Sequence, residues 1–459
     1  MIQRIIVTGG GTGGHLFPGL AVVEELTRRL PGLEVTWVGT ERGIEARVIP
    51  QHGLRFVALQ VTPLKGRSPI ELAKSVGRLP RAALGAVSLV RSAKPDLVLG
   101  VGGYASGPVL AAAVMLGVPT AVLEQNATVG LTNRLLARFV GRAYLSFAET
   151  APMFGERRAR PLGNPVRRTF VETARLALTD PEGFEARARR VLVLGGSQGA
   201  RALDENVPAA LAQAGVTARG LQIVHQASAT NVDAVKARYA ALGVEATVVP
   251  FLDDMARAYA SASLVIARAG ATTLAELCAI GRASVLVPFP LAADDHQTKN
   301  AQSLVDDGAA VLLPQSELTP ARLAAELSAL LGDDTRRMAM AAAARRRGRP
   351  DAAAAIVDDL CAWLIGEPQL TDGEGGEGGA APSQSDSDDG DSDDGDDSLA
   401  QTDEGAAHDE ARDVDSATRT VMSSTIPPAL DEHTGRRRKR AVRTRLPTIV
   451  RLGATGTWE

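Results

Sequence analysis

Ten short apolar runs, separated by stretches with helical periodicity, follow one another along the chain up to about residue 366. The runs fall into two sets, 4–9, 35–39, 96–102, 120–124 and 142–147, then 191–196, 221–226, 246–251, 264–270 and 284–289. Strands that are nearly all apolar and are separated by helices belong to parallel sheets covered on both faces. The pattern therefore predicts an α/β fold with two parallel sheets.

A glycine-rich repeat divides this pattern into two halves. TGGGTGGH (8–15) aligns with LGGSQGAR (194–201) at three glycines, and each segment follows the first strand of its set and opens a helix. The repeat predicts two doubly wound, Rossmann-like domains, 1–163 and 164–366. Ligands of such sheets bind beyond the carboxyl ends of the strands, so two facing domains would enclose a cleft.

The composition changes sharply near residue 366. Residues 367–459 are first acidic and then basic and carry a net charge of −11, which leaves +8 on the remainder because the whole chain carries −3. The acidic stretch cannot bury enough apolar surface to offset its chain entropy, so we predict a disordered tail with no catalytic role. A mildly basic body suits anionic ligands and an anionic membrane surface.

Cysteine usage and the apolar runs bear on the compartment. The two cysteines lie in apolar helical contexts, which disfavours a disulfide framework or a metal site and favours a reducing cytoplasm. The N-terminus enters a strand at once, without a signal-peptide pattern, and no apolar run approaches the ~18 residues of a spanning helix. We expect a protein that does not cross a membrane and does not bind nucleic acid.

The first glycine loop carries the first candidate chemistry. VTGGGTGGHLFPG (7–19) contains a literal G-x-G-x-x-G and leads into a helix, whose N-terminal N–H groups suit phosphate. One interpretation is a dinucleotide site with Glu41 as its ribose-binding acid, hence an oxidoreductase. The other is a different phosphate-bearing ligand, beside which His15 accepts a proton.

Two further loops repeat this chemistry. LGVGGYASGP (99–108) follows a strand of the first half, and two phosphate-type loops in one domain indicate a large or doubly phosphorylated ligand. In the second half, Ser197 and Gln198 stand where side chains would meet a diphosphate or sugar hydroxyls. Three such loops in two related halves are stronger evidence than one.

Two polar clusters of the second half have alternative interpretations. In RAGATTLAELCAIGR (268–282), Glu276 either grips the hydroxyls of a nucleotide ribose or completes a capping box with Thr273 as N-cap. In PFPLAADDHQTKNA (288–301), carboxylates stand beside His296, but the spacing of a metal site is missing. We expect no metal site.

These motifs, taken together, carry a resemblance to a known family. GGGTGGHLFPG, GGYASGP, LEQNATVGLTN, GNPVR, GGSQGAR, FLDDMARAYASA, RAGATTLAE and DDHQTKNA, in this order, closely resemble the MurG family. Its members add N-acetylglucosamine to lipid I, making lipid II for peptidoglycan. The resemblance spans about residues 3–365 and leaves out the tail. Ala269 departs from the family, which often has serine there.

The resemblance implies a GT-B glycosyltransferase whose C-terminal domain binds UDP-N-acetylglucosamine and whose N-terminal domain binds the lipid pyrophosphate acceptor. The residues assigned to the donor are Thr12, Gly13, Gly14, Asn126, Arg167, Ser197, Gln198, Leu252, Ala271, Thr272, Thr273, Leu274, Ala275, Glu276, His296 and Gln297. Those assigned to the acceptor pyrophosphate are Gly102, Gly103, Tyr104 and Ser106.

The resemblance also implies an inverting transfer in which the 4-hydroxyl of the acceptor's N-acetylmuramyl sugar displaces UDP. His15 is the candidate base, with hydrogen bonding to the diphosphate as its alternative role. No tightly bound metal cofactor is expected, although a loosely bound divalent cation is compatible with the reaction. The competing classes are a nicotinamide-dependent oxidoreductase and a non-catalytic membrane scaffold.

The lipid-linked acceptor that the resemblance implies leads us to expect a peripheral enzyme on the cytoplasmic face of the cell membrane. The segment 64–91 combines apolar residues with Lys65, Arg67, Lys74, Arg78 and Arg81, and basic residues near an anionic leaflet contribute about 1 kcal/mol each. Its alternative role is packing on the first sheet, at least beyond Pro80. Lipid I, UDP-N-acetylglucosamine, the anionic membrane surface and cell-wall or division proteins are the expected partners.

Overall fold

A computed structural model describes residues 2–61, 82–196, 199–365 and 450–451 of the chain. The strands are β1 Arg4–Gly9, β2 Glu34–Gly39, β3 Arg55–Ala58, β4 Leu97–Gly102, β5 Thr120–Glu124, β6 Arg142–Leu145, β7 Ala159–Arg160, β8 Arg190–Leu194, β9 Gln222–Gln226, β10 Thr247–Val249, β11 Ala262–Ala267, β12 Ser284–Leu286, β13 Val311–Leu312 and β14 Val450–Arg451.

The helices that cover these strands follow the same alternation. They are α1 Gly13–Arg29, α2 Glu45–Gln51, α3 82–93, α4 Ser106–Met115, α5 Leu131–Leu136, α6 Ala151–Phe154, α7 Arg168–Thr179, α8 Pro181–Ala186, α9 Arg201–Gln213, α10 Val232–Ala241, α11 Met255–Ala260, α12 Ala271–Ile280, α13 His296–Asp306, α14 Pro320–Gly332, α15 Asp334–Arg347 and α16 Ala352–Ile365.

The strands form two parallel sheets. The first has the order β14-β3-β2-β1-β4-β5-β6-β7 and the second the order β10-β9-β8-β11-β12-β13. In each sheet the strand order changes direction at the first strand of its set, between β1 and β4 in the first sheet and between β8 and β11 in the second. This is the topological switch point of a doubly wound sheet. The α/β prediction of two Rossmann-like sheets is therefore confirmed.

Each sheet is covered by apolar side chains on both faces. Along β1, Ile5 and Val7 belong to one core cluster and Ile6 to another, because successive side chains of a strand point to opposite faces. The second sheet likewise separates into two clusters. Burial on both faces explains why these strands are apolar at nearly every position.

The last helix of the body packs back on the first sheet. Ile356, Val357 and Leu360 of α16 join the core cluster that contains β1 and α1. The chain thus crosses between the domains twice, once near 161–168 and again between α15 and α16. The boundary at 163/164 stays a prediction, and the second crossing was not foreseen.

Two predicted segments fall largely outside the described residues. Of the membrane candidate 64–91, residues 82–91 lie in α3, where Ala86 and Leu89 are buried in a core cluster and Leu84 is 70% exposed. Packing on the sheet beyond Pro80 is thus observed. Of the tail 367–459, only β14 is described, as a short parallel strand beside the edge strand β3.

In the part of the chain that the structure describes, no helix is both long enough and apolar enough to cross a membrane.

Candidate active site

The two glycine loops of the first domain are packed against each other. The Gly10 amide donates to the Gly102 carbonyl (3.2 Å), and a Cβ on Gly9 would lie 2.1 Å from the same oxygen. Gly9 and Gly102 also have φ values of +130° and +97°, which side chains disfavour. Glycine at these positions lets the ends of β1 and β4 form one surface.

His15 lies in the first turn of α1, against this surface. Its Nδ1 is 3.0 Å from Oε1 of Gln125, whose Nε2 donates to the Val101 carbonyl (3.0 Å). Because the Gln125 amide nitrogen is committed to Val101, its oxygen accepts a hydrogen bond from Nδ1–H of His15. That arrangement leaves the lone pair on Nε2, the nitrogen that could accept a proton from a substrate.

The surroundings of His15 favour the neutral imidazole. Burial lowers the pKa of His15 below its ordinary value of 6.5, while the hydrogen bond to Gln125 and the charge of Glu124 oppose that shift. A neutral ring at pH 7 is the form that a general base requires.

Buried Glu45 anchors the first glycine loop. One carboxylate oxygen accepts from the Gly11 amide (2.7 Å), and the other accepts from the amide and the hydroxyl of Thr40 (2.9 Å each). Glu45 is fully buried, whereas Glu41, the acid considered for a dinucleotide ribose, is exposed. No motif marks Glu45 in the sequence, because its contact with the glycine loop joins residues 34 positions apart.

Buried Glu124 orders the loop that follows β5. It accepts hydrogen bonds from the amides of Asn126 (3.2 Å) and Gly130 (2.9 Å) and from the Asn133 side chain (2.9 Å). The ordered loop then meets the second domain, where Asn300 accepts from the Ala127 amide at 2.8 Å. Asn300 also donates to the predicted donor residue Asn126 (3.3 Å).

Two helix N-termini, one from each domain, meet at the carboxyl ends of the sheets, in the region called the cleft below. The Thr272 hydroxyl near the start of α12 donates to the Gly14 carbonyl in the first turn of α1 (3.0 Å). The N-caps Thr12 and Gly270 make no side-chain capping bond. Facing, uncapped N-termini present free N–H groups and partial positive charge, the requirements for a diphosphate.

Glu276 and Arg167, both predicted donor residues, form a pair. Arg167 Nη2 donates to Glu276 Oε1 at 3.0 Å, and its guanidinium lies over the rings of Phe17 and Phe170. Burial raises the pKa of Glu276 from 4.5 to about 7, against the opposing effect of Arg167. The capping-box alternative is wrong, because α12 begins at Ala271 with Gly270 as N-cap, so Thr273 lies inside the helix.

The start of α13 approaches His15 from the second domain. His296 is near enough to His15 to help lower the pKa of His15, and Nδ1 of His296 is 2.7 Å from the Ala293 carbonyl oxygen. Gln297 accepts from the Phe289 amide (2.9 Å) through its side-chain oxygen. Asp294 and Asp295 before them have φ of 53°, a left-handed conformation that costs free energy in non-glycine residues.

The other predicted residues are spread around this centre. Tyr104 is 37% exposed, and the Ser106 hydroxyl donates to the Gly103 carbonyl (2.7 Å). Leu252 packs on the core of the second domain. Leu274 and Ala275 line a cavity away from Glu276. Ser197 and Gln198 lie outside the described residues, among which no group of three or more metal-ligating side chains occurs.

Comparison with known proteins gives the family. Residues 5–145 match the glycosyltransferase family 28 N-terminal domain, and residues 190–356 match its C-terminal domain. A protein of Anaeromyxobacter sp. (strain Fw109-5) is 48% identical over 363 residues, covering 79% of this chain and 94% of the relative. A protein of Myxococcus xanthus is 44% identical over 364 residues, covering 79% of this chain and 94% of the relative.

Both relatives are named UDP-N-acetylglucosamine–N-acetylmuramyl-(pentapeptide) pyrophosphoryl-undecaprenol N-acetylglucosamine transferase. Among solved structures, Acinetobacter baumannii MurG is similar, with a TM-score of 0.64 and 34% identity, covering 78% of this chain and 99% of that one. The relatives, the two domain matches and the paired Rossmann-like sheets agree. The chain belongs to the MurG family of glycosyltransferases.

Proposed function

We propose that this chain transfers N-acetylglucosamine from UDP-N-acetylglucosamine to the 4-hydroxyl of the N-acetylmuramyl sugar of lipid I, forming lipid II. The observation that carries the proposal is the meeting of two uncapped helix N-termini beside a neutral histidine. The names of the two relatives, at 48% and 44% identity, support the same reaction. A nicotinamide-dependent oxidoreductase has no such support.

In this proposal the second domain holds the donor. The ionised carboxylate of Glu276 accepts hydrogen bonds from the ribose hydroxyls, and Arg167 positions that carboxylate through their 3.0 Å contact. The N-terminus of α12 and the glycine loops hold the diphosphate. The other residues predicted to contact the donor or the acceptor pyrophosphate keep those roles as predictions.

The chemical step needs a base and a stabilised leaving group. Nε2 of His15 removes the proton of the acceptor's 4-hydroxyl while that oxygen forms a bond to the anomeric carbon. The bond from the anomeric carbon to the diphosphate oxygen breaks on the opposite face, so the configuration inverts and UDP leaves. Backbone N–H groups at the facing N-termini stabilise the charge that develops on the diphosphate.

A transferase assay tests this proposal directly. Full-length protein is incubated with UDP-N-acetylglucosamine and a lipid I analogue, and UDP release and the disaccharide product are measured. We expect both in equal amounts, and we expect UDP, but not NAD or NADP, to raise the melting temperature. Stabilisation by a nicotinamide dinucleotide without disaccharide formation would contradict the proposal.

We further propose that the enzyme acts peripherally at the cytoplasmic face of the cell membrane. Support comes from the exposed side chains of α5 and the turn after it, since Leu135 is 67% and Phe139 63% exposed. Arg134 and Arg138 stand beside them and are also exposed. Apolar side chains flanked by basic ones suit insertion at an anionic leaflet.

Co-sedimentation with vesicles that contain anionic lipid tests this surface. We expect Leu135→Ser/Phe139→Ser to weaken vesicle binding severalfold without loss of thermal stability. The matched control is Leu176→Ser/Leu178→Ser, two exposed leucines of α7 in the second domain, which should bind like the unmodified chain. Equal binding by the two double variants would remove α5 from the membrane site.

A further inference from the structure

A cavity of about 500 Å³ lies between the domains, behind α12. The first domain contributes residues 146–149, and the second contributes faces of α12, α13 and α15. Both crossings between the domains also line it, through Gly163 and Asn164 on the first and Gly348 and Arg349 on the second. We call this space the hinge cavity.

Helix α12 separates the hinge cavity from the proposed donor site. Leu274 and Cys278 line the cavity, and they lie one turn apart on one face of the helix. Thr272 and Glu276 lie one turn apart on the opposite face, where they contact Gly14 and Arg167. The predicted donor residues Ala271, Leu274 and Ala275 also line the cavity, so a ligand there would contact the same helix as the donor while leaving the face of Thr272 and Glu276 free.

The lining chemistry favours an anion. Asn164 is about 95% buried, yet neither its side-chain nitrogen nor its oxygen has a hydrogen-bond partner among the described residues. Arg346 and Arg349 also line the cavity, and neither guanidinium contacts a carboxylate in the described part of the chain. The acidic lining residue Glu149 opposes them, so the unpaired charge is positive overall.

A third arginine in the cavity wall, Arg347, already has partners within the protein. Arg347 pairs with Asp307, bonds Ser303, and lies 5.5 Å from the centre of the Phe147 ring of the first domain. Its charge is therefore balanced, whereas the guanidinium groups of the exposed Arg346 and Arg349 face no carboxylate among the described residues, with Arg349 Nη1 donating only to the Arg346 and Gly348 carbonyls. Guanidinium groups match phosphate oxygens in geometry and charge.

The two crossings are in close contact at the cavity wall. A Cβ on Gly163 would lie 2.6 Å from Cβ of Arg349, and one on Gly348 would lie 2.5 Å from the Cys278 carbonyl oxygen. The crossings and α12 thus have little room to move independently. An anion that bridges Asn164 to Arg346 and Arg349 would restrict the relative movement of the domains.

We propose that the hinge cavity binds a small phosphorylated anion and thereby changes the affinity of the donor site. The size suits this class, since ligand pockets span about 300–1,000 Å³. The second half of this inference, the coupling to the donor, rests on the proposed function. The first half, the existence of the anion site, does not.

Isothermal titration of the full-length chain with inorganic diphosphate tests the site, with saturating UDP present throughout to occupy the donor site. We expect diphosphate to bind at the hinge cavity, and we expect Arg346→Gln/Arg349→Gln to weaken that binding at least tenfold, whereas any diphosphate bound at the predicted acceptor loop should bind equally to both proteins. Asn164→Asp, which places a negative charge in the cavity at nearly constant volume, should weaken it as well. The charge-matched control is Arg187→Gln/Arg322→Gln, exposed arginines elsewhere in the second domain, which should bind normally.

If diphosphate does not bind, or binds equally well to the cavity variants, the proposed anion site is wrong. Any heat measured in the second case comes from binding to other basic residues. Coupling is read from the KM for UDP-N-acetylglucosamine, which diphosphate should change at least twofold in the unmodified chain but not in Arg346→Gln/Arg349→Gln. Cavity-dependent binding with no effect on KM overturns the coupling alone. Cavity-dependent binding by a chain without transferase activity would instead refute the proposed function and leave the anion site standing.

Discussion

In the first domain, Glu45 holds the glycine loop, Glu124 holds the loop after β5 and Gln125 holds the ring of His15, whereas in the second domain one arginine holds Glu276. Glu45 accepts three hydrogen bonds and Glu124 three, and Gln125 fixes the tautomer of His15. Among the residues that the structure describes, the Glu276 side chain hydrogen bonds only to Arg167, and its pKa is raised to about 7. The many hydrogen bonds around His15 suit a side chain that must point at a reacting atom. The single partner of Glu276 suits a carboxylate whose other hydrogen bonds come from a bound ligand.

The largest effect on the reaction rate is expected from substitution of His15. We expect His15→Ala to lower kcat by about 10²–10⁴-fold, the usual contribution of a general base, while UDP still binds. Initial rates and a UDP titration measure the two effects, with the half-exposed His52→Ala of the same domain as control. If His15→Gln keeps a near-normal rate and the acidic limb of the pH profile, His15 is not the base.

A smaller effect, confined to donor binding, is expected at Glu276. Glu276→Ala should raise the KM for the UDP-sugar by about ten- to a hundredfold, since a lost charge-assisted hydrogen bond is worth about 1.5–3 kcal/mol. The KM for the acceptor analogue and kcat should change little. A variant that only melts earlier, with its donor KM unaltered, would show that Glu276 is a structural partner of Arg167.

The raised pKa of Glu276 also predicts how donor binding and stability change with pH. Because the pKa of Glu276 is raised from 4.5 to about 7, its carboxylate forms only as the pH rises through 7, and the donor KM should fall roughly tenfold between pH 6 and 8. In the folded protein, the raised pKa favours the protonated form of the Glu276 carboxyl group. The contribution of Glu276 to the free energy of unfolding is therefore highest below about pH 4.5 and decreases up to about pH 7.

Both trends should vanish in Glu276→Gln. The measurements are donor KM and urea unfolding at pH 5 to 8 for the two proteins side by side. A donor KM that keeps its full pH dependence in Glu276→Gln would assign the titration to another group.

The smallest effect on rate is expected at Glu45, which acts only through the loop. Glu45→Gln places an amide group where the carboxylate accepts from Gly11 or Thr40, so one buried N–H loses its acceptor. We expect a loss of about 1–3 kcal/mol in the free energy of unfolding and a severalfold lower kcat/KM. The exposed Glu34→Gln should change neither quantity, and equal stability of the two variants would contradict the anchoring role.

The sequence predicted the elements better than the contacts between them. Apolar runs located ten of the strands, from the three-residue β10 and β12 to the six-residue β1, because burial on both faces leaves a local signature. They missed β3, β7 and β13, which have two to four residues, and the return of α16 to the first sheet. β7 and β13 have only two residues, too few to show a period, and nothing local in a helix says which domain will cover it.

The candidate site shows the same division. The glycine loops, and polar residues near them such as His15 and Glu276, could be predicted from the sequence because they lie on the segments that directly follow predicted strands. Gln125 and Asn300 could not, since their partners lie 110 and 173 residues away in the chain. Long-range hydrogen bonds depend on the folded backbone, which a pattern of residue types does not contain.

The contact between the two glycine loops also limits how this sequence can vary. A Cβ on Gly9 would meet the Gly102 carbonyl oxygen, and one on Gly103 would lie 2.6 Å from the carbonyl oxygen of Gly10. Because each obstruction is a backbone atom, no substitution at the opposing position can relieve it. The two loops therefore constrain each other sterically, and an exchange of either loop with another Rossmann-like protein must carry both.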